Sequence, residues 1–146
     1  MTDIYSKETR SRVMSAVRGK DTQPERKVRS FLHKAGYRFR LHYKILPGKP
    51  DIVFPRFNTV IFVNGCFWHQ HAGCKKATIP HNNKLFWKRK LSRTVQRDSE
   101  NIQKLENMGW KVIIIWECEL LGSFDKTMLR TLRSLLIRTS FLTLGV

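Results

Sequence analysis

DIVFPRFNTVIFVNGCFWHQHAGC, residues 51–74, is the stretch whose reading decides the fold. Two short apolar runs, DIVF (51–54) and TVIFV (59–63), flank a turn at Pro55–Asn58 and read as two strands. The second runs directly into a loop where Cys66, His69, His71 and Cys74 fall inside nine residues around Phe67 and Trp68. Such a loop is a structural metal knot, a catalytic site or a merely polar connection, and the flanking sequence has to choose among them.

Working outward, a helix is predicted from Asp21–Thr22, with Thr22 as N-cap, Pro24 in the first turn and Gly36 as a left-handed stop. Tyr37, Phe39, Leu41 and Tyr43 alternate with Arg38, Arg40 and His42, the pattern of a half-buried strand. LPGKPD (46–51) is a turn. A long helix is predicted from about Asn83 to Met108, ended by Gly109, with Leu91, Val95, Asp98, Ile102 and Leu105 on its inward stripe. KVIIIW (111–116) is nearly all apolar, as expected at a sheet centre. A last helix is predicted from Phe124 to Ile137. The fold class is therefore α/β, a mixed central sheet flanked by helices. Residues 1–20 read as a basic N-terminal arm, and 21–146 as a single domain.

Charge narrows the function. The chain has 28 Lys+Arg against 11 Asp+Glu, a formal net charge of +17 on 146 residues. Such a surplus repels itself unless an anionic partner relieves it, and nucleic acid is the leading candidate, ahead of a membrane surface. MTDIYSKETRSR carries no apolar signal region, and no run approaches the ~20 apolar residues a bilayer span needs. Three cysteines make no even disulfide framework, so the chain reads as intracellular with reduced thiols available as ligands.

Several residues carry chemistry. Cys66, Cys74 and Cys118, the last 44 residues further on, make with His71 a Cys3His set suited to tetrahedral Zn²⁺. His69 is an equal alternative to His71, and idle thiols with a buried Cys118 are the competing reading. Asp51 follows Pro50 at the start of a strand, placed either to hold Mg²⁺ in a cleft or simply to end a turn. A histidine left over from zinc binding can take a proton from water, which is the alternative to a surface role for His69. Glu25 stands three after Thr22, where a capping box is the bland explanation. Asp98 sits on a buried stripe, where a carboxylate has to be paired or tuned. Arg89, Arg93 and Arg97, four apart on the long helix, repel one another mildly unless phosphates lie against them. Phe67, Trp68, Phe86 and Trp87 form two aromatic pairs beside basic residues. Phe86 is expected in the core, whereas Phe67 and Trp68 share a loop too short to bury them easily.

At these residues the chain resembles the very short patch repair (Vsr) DNA mismatch endonucleases. TRSRVMSAVRGKDTQPE, LPGKPDIVFP, VIFVNGCFWHQHAGC, FWKRKLSRTVQRD and GWKVIIIWECEL follow in register over nearly the whole length. The resemblance implies a restriction-endonuclease-like core that nicks DNA beside the thymine of a T:G mismatch, left when 5-methylcytosine deaminates. It assigns Asp51 to Mg²⁺, His69 to general-base work on the attacking water, and Glu25 and Asp98 to the neighbourhood of the reaction. It makes Cys66, His71, Cys74 and Cys118 structural zinc ligands, and Phe67, Trp68 and Trp87 the aromatics that wedge into DNA. It implies a cytoplasmic, nucleoid-associated bacterial protein acting as a monomer on double-stranded DNA, with mismatch-repair proteins as further partners. Two departures stand out. Asn64 occupies a position where many family members carry His. The Glu-x-Lys common on the second strand of the wider nuclease class is missing from Val63-Asn64-Gly65, which leaves a main-chain carbonyl, that of Val63, as the further metal ligand. The competing functions are a zinc-stabilised DNA-binding module without catalysis, and a related nicking nuclease with another mismatch or modified-base target.

Overall fold

A computed structural model describes residues 21–144, with side chains to residue 136. The expected N-terminal arm, residues 1–20, lies outside the described residues. Helix α1 (Gln23–Lys34) starts as its sequence dictates: the Thr22 hydroxyl accepts the Glu25 N–H at 3.4 Å, with a proline in the first turn. Gly36, at φ +94°, follows its last turn.

Three strands form one mixed sheet in the order β1 (Ile52–Phe54), β2 (Thr59–Asn64), β3 (Lys111–Trp116). β1 and β2 are antiparallel, with Ile52 opposite Ile61. A short 3-10 turn, Pro55–Phe57, and a left-handed Asn58 join them. β2 and β3 are parallel, with Val60 opposite Val112. Parallel neighbours need a long crossover, and the ligand-rich loop plus helix α2 (Lys84–Asn107) supply it. Helix α3 (Glu117–Leu144) closes the described chain.

The sheet is covered on both faces. Ile52, Phe54, Ile61, Val63, Ile113 and Ile115 pack with Val28 and Leu32 of α1 and Leu120, Met128 and Leu135 of α3. Val53 and Val60 on the other face meet Leu46 and Leu105 of α2. Each such side chain, fully buried, contributes ~1.5–3 kcal/mol of transfer free energy. Among the described residues no helix is long and apolar enough to cross a membrane.

Four local expectations are corrected. KVIIIW is an edge strand rather than the sheet centre. Its residues alternate between buried and half-buried, and β2, with a neighbour on each side, is the more fully covered strand. Tyr37–Tyr43 is not a strand: among the described residues its only pairing is a bridge between Arg40 and Val53, and His42 turns away at φ +54°. Tyr37, Phe39 and Leu41 still pack against the core, which is what their alternation reported. Val95 is 43% exposed. The line of α2 that faces the protein runs through Trp87, Leu91, Asp98 and Leu105, and Val95 lies to its side. The last helix begins at Glu117, before its expected start, and kinks at Ser123. Gly122-Ser123, just ahead of the expected start, is the bend. Cys118 consequently sits in the first turn of α3.

Candidate active site and metal centre

The end of the sheet opens into a cavity of about 540 Å³ whose lining includes Glu25, Asp51, Val63, Asn64, His69 and Glu117. β1 and β2 create it by ending unevenly. Ile61 points its backbone groups at β1 and accepts the Asp51 N–H at 3.1 Å. Two residues on, Val63 points the same way, but β1 has no residue opposite it. The Asp51 carboxylate fills that place, its Oδ2 accepting the Val63 N–H at 2.7 Å. Burial dominates the Asp51 environment and pushes its carboxyl from the ordinary 3.8 up to about 7. Glu25 adds to that rise, while the Val63 N–H, His69 and Arg29 oppose it.

Glu25 is 4% exposed. The capping-box bond expected to the Thr22 N–H is replaced by others. Its Oε2 accepts the Asp21 N–H at 3.0 Å and an Arg29 guanidinium N–H at 3.1 Å, and its Oε1 accepts the Thr22 hydroxyl at 3.2 Å. Arg29 also pairs with Asp21 at 2.7 Å. The helix start thereby carries Glu25 to the cavity wall with its carboxylate fixed.

His69 faces the same cavity, and behind it stands Asp98 of α2: His69 Nδ1 and Asp98 Oδ2 are 2.6 Å apart. The partner that a carboxylate on an inward stripe demands is therefore this histidine. A carboxylate at Nδ1 holds a proton there, which leaves Nε2 of the neutral ring as the acceptor. Asn64, 7% exposed, ends β2 on the cavity wall. Glu117 and Lys49 also line the cavity. Neither was singled out from sequence, although both stand next to residues that were: Glu117 before Cys118, and Lys49 in the turn ahead of Asp51.

Of the two loop histidines, His71 is the one that stands with the cysteines. Cys66, His71, Cys74 and Cys118 bring four donor atoms within 4.8 Å of one another. His71 Nδ1 lies 3.4 Å from Cys118 Sγ and 3.8 Å from Cys66 Sγ. A tetrahedron with ~2.3 Å zinc–sulfur and ~2.0 Å zinc–nitrogen arms has edges of about this length, so the set fits a metal in geometry as well as in softness. Backbone bonds hold the loop in this arrangement: His71 N–H bonds the Cys66 carbonyl at 3.0 Å, and Cys74 N–H the His71 carbonyl at 3.1 Å. The His71 ring stacks on Trp116, 4.1 Å between centroids and 7° between planes. Burial pushes the Cys66 thiol up to about 12, whereas the Lys76 backbone N–H lowers Cys74.

Between the loop and α2 lies an aromatic cluster. Phe67 and Trp68 are 5.1 Å apart, and Trp87 lies 5.7 and 6.0 Å from them. Lys90 Nζ sits 5.6 Å from the Trp68 ring and 5.4 Å from that of Trp87. The expectation for Phe86 is reversed: it is 57% exposed, while Trp87 is 9% exposed. Successive helical residues point about 100° apart, and Trp87 is the one in line with Leu91 and Asp98. Arg89, Arg93 and Arg97 are all exposed on α2.

Comparison with known proteins agrees with this architecture. Residues 2–76 match the family model described as DNA mismatch endonuclease Vsr. The chain is 48% identical over 127 residues to the type II nicking enzyme V.XorIIP of Xanthomonas oryzae, covering 86% of this chain and 93% of that protein. It is 47% identical to the type II nicking enzyme V.NmeAIP of Neisseria meningitidis, over 82% of this chain and 85% of the relative. With the DNA mismatch endonuclease Vsr of Escherichia coli it shares 41% identity, over 84% of this chain and 78% of the relative. Family model and relatives lead to one conclusion: the chain belongs to the DNA mismatch endonuclease Vsr family and is a DNA endonuclease.

Proposed function

We propose that this endonuclease is a Mg²⁺-dependent, strand-specific nicking enzyme that cuts beside the thymine of T:G mismatches, on a restriction-endonuclease-like core. The observation that carries the reading is the shared cavity of Asp51, Glu25 and His69, with Asp98 bonded to His69 from behind. The oxygen donors there suit a hard cation. Asp51 commits Oδ2 to Val63, and Oδ1 has no hydrogen-bond partner among the described residues. The Val63 carbonyl points to the same side of β2. Asp51 and Val63 would hold Mg²⁺, which when bound supplies charge stabilisation to the phosphodiester under attack. His69 accepts the proton of the attacking water at Nε2 while Asp98 keeps the ring in that tautomer. Glu25 orients groups at the cavity wall, and Asn64 donates a hydrogen bond where a histidine would also carry a proton.

Cys66, His71, Cys74 and Cys118 would hold structural Zn²⁺, which pins the loop that presents His69. Phe67, Trp68 and Trp87 form the wedge against unstacked base pairs. Arg89, Arg93 and Arg97 contact phosphates, and the basic arm of residues 1–20 clamps the duplex. The protein works as a monomer in the cytoplasm, on the nucleoid, beside mismatch-repair proteins. The test is incubation with T:G-mismatched and fully paired duplexes plus Mg²⁺, read on a denaturing gel. A single nick in the mismatched duplex, lost in Asp51→Ala, is expected. Equal cutting of both duplexes, or full activity in Asp51→Ala, sinks the proposal.

A further inference from the structure

Lys49 stands in the turn LPGKPD, two residues before Asp51, and has no task in the function proposed so far. Among the described residues it is the one Lys or Arg that lines the cavity, which also carries Glu25, Asp51 and Glu117. Its backbone is left-handed, φ +49°, a conformation that costs an L residue energy and that glycine adopts freely.

The turn has no room to relax this strain. Gly48, at φ +77°, is wedged so tightly that a Cβ there would lie 3.1 Å from Asn101 Cβ and 3.2 Å from Phe62 Cζ. The Lys49 N–H bonds the Leu46 carbonyl at 3.3 Å, and the Asp51 N–H bonds that of Ile61 at 3.1 Å. Pro50, between them, is buried. The Lys49 side chain, by contrast, is exposed, and it makes no ion pair or hydrogen bond among the described residues. A backbone held in a strained state on both sides, presenting an uncommitted charge at a cavity, is the signature of a position kept for ligand contact rather than for stability.

The ligand class follows from charge. Three carboxylates repel a phosphodiester entering this cavity, so a cation at its wall lowers the cost of entry. A lysine ammonium is a compact point charge on a flexible stem, suited to a single phosphate oxygen. We propose that Lys49 is a substrate-contacting catalytic residue, whose ammonium binds a non-bridging oxygen of the scissile phosphate. The assignment rests on the nuclease reading above. Its role is to seat the phosphate against Asp51 and to stabilise the charge that develops as water attacks.

The experiment compares Lys49→Met, Lys49→Arg and Lys49→Gly with the wild type on the T:G duplex. For Lys49→Met, kcat/KM falls ~100-fold, the scale of losing one preorganised donor to a developing anion. Lys49→Arg restores most of it. Lys49→Gly relieves the backbone strain, so it melts no lower than the wild type, yet nicks as poorly as Lys49→Met. A lysine needed only for the turn predicts the reverse. Duplex binding without Mg²⁺ gives a second readout: the slope of log affinity against log salt becomes shallower by ~0.9 in Lys49→Met, the equivalent of one phosphate. Wild-type kcat/KM in Lys49→Met or Lys49→Gly, or an unchanged salt slope, overturns the assignment. A wild type that nicks no mismatched duplex overturns the nuclease reading instead, and the salt slope then still tests whether Lys49 meets a phosphate.

Discussion

Asp51 is asked to be buried and charged at once, and the conflict has a measurable cost. In the folded protein its carboxyl titrates near 7 rather than the ordinary 3.8. As pH rises between these values the unfolded chain loses this proton first, so folding stability falls, and above about 7 the loss is complete. Asparagine keeps an acceptor for the Val63 N–H and removes the charge. In Mg²⁺-free buffer, Asp51→Asn is expected to melt with the wild type near pH 4 and above it at pH 8, by on the order of 2 kcal/mol after screening. Thermal melts of both proteins across that range check it. His69 and Asp98 make a second pair with a separable prediction. Asp98→Asn preserves shape but no longer favours the Nδ1–H tautomer, so kcat should fall ~10²–10⁴-fold with mismatch affinity retained, measured by single-turnover nicking and binding on the same duplex. Part of this residue pairing was legible in the sequence. A carboxylate on an inward helical stripe announces a partner, and Asp98 has one. Which residue that partner is was not legible, because it depends on which of two loop histidines turns toward the cavity, a matter of loop conformation rather than periodicity.

At the scale of elements, the candidate ligand set spans the loop and α3. Three ligands come from the loop and the fourth, Cys118, from the first turn of α3, so an ion there joins the crossover to the chain beyond β3. Cys118→Ala is expected to lower metal content and to cost several kcal/mol of stability, the range in which metal binding and folding are coupled. Metal analysis and denaturant titration of one preparation test this. On α2, neutralising Arg89, Arg93 and Arg97 together should reduce the salt slope of duplex binding by ~0.9 for each phosphate that these side chains neutralise. A slope unchanged by all three would make that face merely solvated. Long, strongly periodic elements were the readable ones: α1, α2 and both arms of the hairpin lie close to where periodicity and capping residues put them. The misread ones share a cause. Tyr37–Tyr43 alternates because its side chains pack, while backbone pairing needs a neighbour that sequence does not reveal. KVIIIW is apolar enough for a sheet centre, yet strand order is a tertiary property. Phe86 stands outside because a single residue of helical phase decides which ring goes inward.

Over the whole molecule, the order in which a metal could act in folding follows from where the four candidate ligands lie along the chain. Cys66, His71 and Cys74 are neighbours in sequence, but the set is incomplete until β3 has docked in parallel beside β2 and carried Cys118 into place. That docking closes a long crossover, the kind of non-local step that makes a topology slow to fold. An ion bound there would find its full grip only on the native side of the rate-limiting barrier and would act as a latch rather than a nucleus. Stripping the metal should accelerate unfolding and leave the refolding rate nearly unchanged, which stopped-flow chevrons with and without bound metal resolve directly. With an ion bound there, the loop that presents His69 would be kept closed by slow escape from the native state, and the working lifetime would follow how tightly that latch is held.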